Sequence, residues 1–406
     1  MIRWLLPQGS DPAVASVFLA RALRGFADGF VSVLLPVYLI ALGLGGAEVG
    51  AIATTTLFGS AIATLAVGAW GARWHDRVLL LSASLLMIAT GIGFSALASF
   101  WPLLIVAFVG TLNPSSGDVS VFLPLEHARL AAHCEPASRT DLFARYALTG
   151  ALCGAAGALA AGLPEQIDAL SGIGHRESLR AMFLLYGLIG VLVWAIYRRM
   201  PDEGIEPVGK TAPLTTSRSI VIRLSALFSL DSFAGGLVLN SLLALWLFDK
   251  FQLSLTATGS FFFVSGLLGA ISQLAAPRLA KQFGMVNTMV FTHIPASLFL
   301  IAAAFASDLR WTLALLFARA LVSSMDVPAR SAFVMSVVEP HERAAAASFT
   351  AVPRSLAAAA SPLLAGWMFQ SGWMSVPLIL CGVLKITYDL MLWGAFRSVE
   401  QRGPID

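Results

Sequence analysis

The stretches "SSGDV" at residues 115–119 and "SSMDV" at residues 323–327 place an aspartate in the same five-residue setting twice, each time within a long apolar region. The similarity extends outwards from both. "GAEVGAI" around Gly50 aligns with "LTATGSF" around Gly259, and Trp101 and Trp311 precede the two aspartates at similar distances. The displacement stays near 209 residues. The sequence therefore predicts two halves of like architecture in parallel orientation.

The composition is that of a membrane protein. Of 406 residues, 57% are hydrophobic and only 12% are charged, too few to cover a surface that faces water on all sides. Apolar stretches of about 20 residues recur, and each is long enough to cross a hydrocarbon core as a helix. Helices are expected because lipid offers no partner to free backbone groups. The first stretch is too long for a signal peptide and is expected to remain as a helix.

The predicted fold is an all-α membrane protein with twelve transmembrane helices in two pseudo-symmetric six-helix bundles. The polar stretch "RRMPDEGIEPVGKTAPLTTSRS" divides six spans from six. This gives a bundle at residues 1–197, a cytoplasmic linker at 198–219 and a bundle at 220–406. A second polar stretch, "LEHARLAAH" at residues 125–133, predicts an amphipathic surface helix. The spans are expected at about residues 14–41, 50–70, 78–99, 102–124, 142–162, 179–198, 220–248, 256–276, 286–306, 311–336, 345–370 and 374–396.

The basic residues indicate the orientation. With both termini inside, the inner loops and tails hold about fourteen of the 26 Lys and Arg, and the outer loops hold about four. We therefore expect cytoplasmic termini, in a cell inner (plasma) membrane. The three cysteines are far apart, no basic stripe points to nucleic acid, and phosphate-loop and hydrolase motifs are missing. We expect no cofactor, no metal and no enzyme activity.

The loop after the second span carries a family resemblance. "GAWGARWHDR" at residues 68–77 resembles Gly-x-Leu-Ala-Asp-Arg-x-Gly-Arg-Arg, the loop signature of the major facilitator superfamily of secondary transporters. Gly68, Arg73 and Arg77 match the signature, Ala72 replaces its acidic residue, and Asp76 is a candidate substitute. In that family the loop is an inner-side latch, so the resemblance implies gating roles for the three matching residues.

A second resemblance concerns the fifth span. "GALCGAAGALAAG" at residues 150–162 looks like the glycine-rich antiporter motif of proton-driven exporters, although its proline is missing. The arginine typical of the fourth span in drug exporters is also missing. This resemblance implies the drug:proton antiporter-like branch, with degenerate motifs. The alternative is that glycines at this spacing simply allow close helix contact, as in any membrane bundle.

Ionisable side chains within spans are the candidate proton-coupling groups, because each costs roughly 2.5 to 3.5 kcal/mol at the bilayer centre. Asp28 in span one and Asp231 in span seven are predicted to couple protons. A contact between Arg24 and Asp231 is predicted to hold one side of a central cavity shut until Asp231 is protonated. The alternative for each is an internal salt bridge, such as Arg24 with Asp28.

Four deep polar residues are candidates for substrate binding: Arg24, Asn113, Asn240 and Arg354. Arg354 lies near the middle of span eleven among small residues, which leave room for an anionic group. Its alternative role is a salt bridge to Asp326.

The repeated aspartates are predicted to be paired inner-gate acids, with helix-end roles as the alternative. Asp118 is assigned Arg145 as its base, and Asp326 is assigned Arg330 at i+4. Lys385 and Asp389 are also at i,i+4, and the resemblance places their span among the outer helices of the family's fold, which implies a structural pair. His293 is predicted to be a hydrogen-bonded histidine.

The sequence therefore predicts a proton-coupled secondary transporter of small molecules, and the efflux of small organic compounds by antiport is favoured. The 26 phenylalanines and eleven methionines suit an adaptable apolar cavity. The alternative is a transporter of a polar or anionic solute bound by buried arginines, and a further one is a membrane sensor that transports nothing. The expected partners are a small-molecule substrate, protons and the lipid bilayer, and the protein is expected to be a monomer that binds no nucleic acid.

Overall fold

The computed structural model describes residues 12–70, 74–115, 120–134, 139–201, 214–339 and 342–400. Across these residues sixteen α-helices and no strand are present, as the predicted all-α class requires. The first eight helices are α1 (Pro12–Ala41), α2 (Gly46–Trp70), α3 (Asp76–Ala96), α4 (Phe100–Val109), α5 (Phe122–Ala132), α6 (Arg139–Ala160), α7 (Leu163–Ser171) and α8 (His175–Arg198). The others are α9 (Arg218–Gly236), α10 (Asn240–Phe251), α11 (Leu255–Phe283), α12 (Met285–Phe305), α13 (Leu309–Ser323), α14 (Asp326–Ser336), α15 (Arg343–Gln370) and α16 (Val376–Glu400).

Ten segments in the described part of the chain are long and apolar enough to cross a membrane. Each corresponds to one of the predicted spans, and some combine two consecutive helices. They are Ala13–Ala41, Gly46–Gly68, Asp76–Ala96, Asp141–Ser171, His175–Arg198, Arg218–Phe251, Leu255–Phe283, Met285–Phe305, Leu309–Ser336 and Val376–Arg397.

The fourth and eleventh predicted spans are not among the ten. A single helix at 102–124 is the prediction for the fourth, but α4 ends at Val109 and residues 110–115 are not helical. Pro114 has no backbone N–H to donate to a helical hydrogen bond, and Gly110 is an unfavourable residue within a helix. A continuous helix through this stretch is therefore destabilised. The eleventh span is the helix α15, which is rich in alanine and carries Arg354. The predicted number of twelve spans is therefore not confirmed.

The chain divides into two compact units. The first consists of Met1–Pro207 with Asn240–Phe263, and the second of Val208–Leu239 with Val264–Asp406. Within the first unit α1 packs on α6 and α3 on α8, whereas within the second α9 packs on α15 and α12 on α16. The sequence division at residues 198–219 into two six-helix bundles stays a prediction.

The glycines of the fifth span mediate close packing of α6 on α1. A methyl group on Gly29 would collide with the carbonyl of Gly154, and one on Gly157 would collide with the carbonyl of Phe26. A methyl group on Gly150 would collide with the guanidinium of Arg21. Small residues thus let these helices approach closely, as expected at membrane helix interfaces.

Residues 240–263 are held to the first unit at both ends. The N–H of Ser241 donates to the carbonyl of Pro114 at 3.2 Å. The carboxylate of Glu165 accepts hydrogen bonds from the N–H groups of Leu255 (2.6 Å) and Thr256 (3.0 Å), and from the Thr256 hydroxyl at 2.6 Å. A carboxylate at this place satisfies free N–H groups at the start of α11 and complements its dipole.

A second carboxylate caps the start of α9 at the end of the linker. Glu342 accepts hydrogen bonds from the Thr215 hydroxyl and N–H at 2.6 Å each, from the Thr216 N–H at 3.0 Å and from the Ser217 N–H at 2.9 Å. These bonds favour the charged form, and the pKa of Glu342 is lowered well below its usual range, chiefly by Thr215. The start of the seventh span is thereby fixed within the second unit.

The prediction of an amphipathic surface helix at residues 125–133 is wrong about exposure. The helix α5 does cover most of this stretch, but its charged side chains are buried, Glu126 with 0% and Arg129 with 1% of its surface exposed. Arg129 forms a salt bridge to Asp76 at 2.7 Å and donates to the carbonyl of Pro201 at 2.8 Å. The charge of Arg129 is therefore compensated by an acid on another helix and not by water. The spacing of residues within one helix cannot predict such a contact.

Candidate functional site

Six ionisable residues of the second unit form one buried network, here called the acid–base cluster. They come from four helices that pack on one another, so no local sequence motif contains them all. The members are Asp231 on α9, His293 on α12, Asp326 and Arg330 on α14, and Lys385 and Asp389 on α16.

Asp231 lies at the centre of the cluster and is only 4% exposed. Its Oδ1 accepts a hydrogen bond from Lys385 Nζ at 2.6 Å, and its Oδ2 accepts one from Arg330 Nη1 at 3.1 Å. A buried carboxylate is tolerated only when such cations and hydrogen bonds replace its hydration. The two cations therefore hold this aspartate ionised inside the unit.

Arg330 joins Asp231 to the repeated aspartate of the second half. Its guanidinium also pairs with Asp326, four residues earlier on α14, and lies 5.5 Å from the centre of the Phe228 ring. The predicted contact between Asp326 and Arg330 is thus present, whereas their gating role stays a prediction. Asp231 has Arg330 and Lys385 as its partners within the second unit, and its contact with Arg24, a residue of the first unit, stays a prediction.

Lys385 connects Asp231 to a histidine and a third carboxylate. Its Nζ lies 3.2 Å from His293 Nε2, and His293 Nδ1 lies 3.1 Å from Asp389 Oδ1. Because the ammonium has only donors, Nε2 acts as the acceptor and the ring proton is on Nδ1, which donates to Asp389. The spacing of Lys385 and Asp389 predicts a direct pair. Instead, His293 from α12 bridges them, and Lys385 turns towards Asp231.

Arg354 lies on α15 next to this cluster and differs from it in exposure. It lies within electrostatic range of Asp231, Asp326 and Arg330, yet its side chain is exposed. Among the described residues it makes no hydrogen bond and no ion pair. When His293 is neutral, the three carboxylates of the cluster exceed its two cations by one negative charge. The positive charge of the neighbouring Arg354 balances this excess. An anion bound to Arg354 would leave the cluster with one excess negative charge, which a proton can neutralise.

The first unit contains a second buried network, here called the Glu126 cluster. Glu126 Oε2 accepts from the guanidinium of Arg24 and from the Tyr146 hydroxyl at 2.5 Å, and its Oε1 accepts from the Tyr197 hydroxyl at 2.5 Å. The Arg24 guanidinium also lies 4.1 Å from the centre of the Phe122 ring. Arg24 therefore has as its hydrogen-bonded partner an acid from a stretch that was expected at the surface, and the predicted neighbour Asp28 lies within its electrostatic range.

The two clusters use the same predicted spans of each half with reversed charges. In the first unit a base of span one meets an acid that follows span four. In the second unit an acid of span seven meets a base of span ten. The repeat thus preserves the position of a buried ion pair although the order of its charges is exchanged.

The other predicted coupling and binding residues belong to the first unit. Asp28 is buried on α1, within electrostatic range of Arg24. Asn113 is buried, and its Oδ1 accepts from the Ser115 N–H at 3.2 Å and hydroxyl at 2.7 Å. Asn240 is the half-buried first residue of α10.

The predicted gating residues lie in different places. Gly68 lies near the end of α2, where an added methyl group would have no neighbour within 4 Å. Arg77 Nη2 donates to the carbonyl of Arg198 at 2.5 Å. Arg145 pairs with Asp141 at 2.9 Å on the exposed part of α6. Arg73 and Asp118 lie outside the described residues, so the predicted pair of Asp118 and Arg145 stays a prediction.

The candidate substitute for the acid that the signature loop lacks is buried in a salt bridge. Asp76, the first residue of α3, forms the salt bridge to Arg129 described above. Among the described residues, no group of histidine, cysteine, aspartate and glutamate side chains has the arrangement of a metal site.

Comparison with known proteins identifies relatives of this fold. The family model of the Major Facilitator Superfamily matches residues 17–318 and 224–404. An uncharacterized membrane protein of Saccharomyces cerevisiae, YJR124C, is 24% identical over 424 residues, which covers 96% of this chain and 94% of the yeast protein.

Two solved structures have the same fold at low sequence identity. The nucleoside transporter NupG superposes with a TM-score of 0.72 at 12% identity, covering 95% of this chain and 99% of that chain. The D-xylose-proton symporter superposes with a TM-score of 0.71 at 15% identity, covering 93% and 97%. The protein is therefore a multi-pass membrane transporter of small solutes and not an enzyme, and it belongs to the Major Facilitator Superfamily.

Proposed function

We propose that the protein is a proton-coupled secondary transporter that moves small organic solutes by alternating access. The observation that carries this proposal is the continuous chain of hydrogen bonds from Asp326 through Arg330, Asp231, Lys385 and His293 to Asp389. Charged groups within a membrane protein are costly, and proton relays are a common reason for their presence. The similar D-xylose-proton symporter bears the coupling ion in its name.

A proton that binds to this hydrogen-bonded network changes which of its hydrogen bonds can form. Protonation of a carboxylate removes the charge that holds Lys385 or Arg330, and protonation of His293 Nε2 removes the acceptor that Lys385 uses. Either event leaves a buried cation with one partner fewer, which raises the free energy of this arrangement. A rearrangement of the helices that carry these residues then becomes more favourable. The coupling therefore resides in the second unit, with Asp231 as its central group, and Asp28 is the proposed coupling group of the first.

Two kinds of solute are candidates. The first is an apolar organic compound moved outwards by antiport, as in the drug:proton antiporter-like branch, which the glycine-rich fifth span resembles. The second is a polar or anionic solute. The second is favoured by Arg354, whose exposed guanidinium lies beside the acid–base cluster and has no ion-pair partner in the described part of the chain.

Charge balance gives the second candidate a coupling mechanism. When an anion neutralises Arg354, the three carboxylates of the cluster exceed the charges of Arg330 and Lys385 by one. The proton affinity of the cluster then rises, and by linkage a bound proton raises the affinity for the anion equally. Anion and proton would bind together and cross together. Arg24, Asn113 and Asn240 are proposed as further solute contacts.

The remaining assignments are part of the same proposal. The chain has twelve spans in bundles at residues 1–197 and 220–406, with both termini in the cytoplasm of an inner-membrane protein, as the distribution of basic residues supports. The proposed functional form is a monomer. The gating groups are Gly68, Arg73, Arg77, Asp118, Arg145, Asp326 and Arg330.

Flux in proteoliposomes tests the function. Purified protein is reconstituted, a pH gradient is imposed, and a panel of hydrophobic dyes and small organic anions is added while internal pH is recorded. We expect at least one compound to move together with a proton flux that a protonophore abolishes. Solute flux without any pH change would refute proton coupling, and no flux of any compound would favour a sensor.

Replacement of Arg354 tests the solute class. We expect Arg354→Gln to reduce the uptake of organic anions about tenfold or more, because a hydrogen-bonded charge contact contributes roughly 1.5–3 kcal/mol. Dye transport should stay unchanged, and Arg354→Lys should retain part of the anion uptake. The control is Arg223→Gln, an exposed arginine of α9 in the same unit. If dye and anion transport fall together, Arg354 has no special relation to anions.

A further inference from the structure

A groove in the second unit lies between α11 and α12, and none of its lining residues belongs to the acid–base cluster. Its volume is about 410 Å³. Two large aromatic residues form its open walls, Phe283 with 62% and Phe291 with 60% of its surface exposed. The two helices are joined tightly through Gly284, whose φ of 88° suits glycine. The groove is lined by Leu279, Phe283, Asn287, Thr288, Phe291 and Thr292.

The polar side of this groove connects to a cation at the end of the last span. Asn287 Oδ1 accepts from Trp393 Nε1 at 3.2 Å, and Asn287 Nδ2 donates to the carbonyl of Phe283 at 3.0 Å. The Arg397 guanidinium lies 4.2 Å from the centre of the Trp393 ring. Tryptophan and arginine at a span end are the side chains typical of the membrane–water interface.

The charge around the groove has one sign. Residues 278–292 and 390–397 contain Arg278, Lys281 and Arg397 and no acidic residue. Arg278, Lys281 and Arg397 are exposed. Basic sites at the ends of transmembrane helices attract anionic lipid headgroups. The groove thus offers apolar walls at its membrane side and positive charge at its interfacial side.

The size of the feature favours a lipid over a second copy of the chain. Six lining residues form a narrow cleft, whereas a stable protein interface buries about 1,200–2,000 Å². A soluble anion would leave the phenylalanine walls without a partner. A molecule with an acyl chain and an anionic head satisfies both parts of the groove.

We propose that this groove binds one anionic phospholipid. An acyl chain lies between Phe283 and Phe291, and the phosphate lies at the side of Arg397. The site is separate from the solute site, and it gives the protein a preference for membranes that contain such lipids whatever solute it carries.

Native mass spectrometry of the full-length protein in detergent tests the site, with phosphatidylglycerol and phosphatidylcholine of identical acyl chains as probes. We expect phosphatidylglycerol to bind more tightly, and Arg397→Gln to weaken it about fivefold, the effect of one basic residue near a charged headgroup. Thr292→Phe, which fills the groove, should weaken both lipids. Arg310→Gln, an exposed arginine at the start of α13, should change neither.

Two further measurements keep the proposal testable if a variant folds poorly. Phosphatidylglycerol with brominated acyl chains should quench the tryptophan fluorescence of the unmodified protein in part. The contribution of Trp393 to this quenching should be lost in Trp393→Phe. Glycerol 3-phosphate should not displace the lipid. Equal binding of both lipids, an unchanged affinity in Arg397→Gln or full displacement by glycerol 3-phosphate would overturn the assignment, the last result indicating a soluble phosphate ion.

Discussion

Replacement of Asp231 with asparagine will abolish accumulation of solute driven by a pH gradient. Asparagine keeps the shape of the side chain but cannot gain or lose a proton, and it leaves Lys385 without its closest anion. Removal of one partner from a buried charge pair also lowers the free energy of unfolding by about 3–5 kcal/mol. We expect exchange of labelled solute across proteoliposomes without a gradient to persist at a reduced rate, while gradient-driven accumulation disappears.

A double substitution separates stability from coupling. Asp231→Asn with Lys385→Gln removes both charges of the pair, so it should recover much of the lost unfolding free energy, measured by thermal unfolding in detergent. It should not recover gradient-driven accumulation, because the proton-binding group is still missing. The matched control is Asp249→Asn, an exposed aspartate of α10, which should alter neither quantity. If Asp231→Asn accumulates solute with unchanged pH dependence, this aspartate has only a structural role.

The sequence predicts the class of the protein and most of its helices because both depend on local properties. Length and apolarity are sums along the chain, and ten of the predicted spans reappear as segments of suitable length. The fourth span shows the limit of such sums. Residues 110–118, with the sequence "GTLNPSSGD", contain two glycines and a proline, and the backbone leaves the helix at Gly110. The summed apolarity of the stretch does not mark this end, whereas the turn-forming residues do.

The members of the acid–base cluster can be predicted to different degrees. Asp231 is conspicuous in the sequence because it is an isolated charge within an apolar stretch, and Asp326 and Arg330 because they are an acid and a base one turn apart within a predicted span. Lys385 and Asp389 resemble a local pair, since spacing along one helix is the only relation visible. His293, which bridges Lys385 and Asp389, lies on another helix. Only the tertiary structure brings it between these two side chains.

The Glu126 cluster is not predicted from the sequence, because its acid lies in a stretch that looks like a surface helix. The polar stretch around Glu126 has the periodicity of a surface helix, so nothing local distinguishes it from one. A signal does exist elsewhere. The five tyrosines of the chain are all buried, and a buried tyrosine hydroxyl usually finds a hydrogen-bond partner, although that of Tyr388 has none among the described residues. Tyr146 and Tyr197 lie within predicted spans and therefore favour a buried acceptor, and Glu126 is that acceptor.

Replacement of Glu126 with glutamine will destabilise the protein by about 3–5 kcal/mol, because it removes the carboxylate that bonds directly to the buried guanidinium of Arg24. Glutamine still offers one oxygen to the tyrosine hydroxyls, so the loss reports mainly on charge. Thermal or denaturant unfolding in detergent measures it. The control is Asp141→Asn at the exposed pair with Arg145, where a cost below about 1 kcal/mol is expected.

The ion pair itself is isolated by a double-mutant cycle of Arg24→Gln and Glu126→Gln. Removing both charges leaves neither member of the pair as an unpaired ion, so the double variant should be more stable than the sum of the two single losses predicts, with a coupling of about 0.5–3 kcal/mol. Transport in the double variant then tells whether this pair has a part in the cycle, since its stability is largely recovered. Additive losses, or a Glu126→Gln cost no larger than that of Asp141→Asn, would mean that Arg24 finds its compensation elsewhere in the first unit.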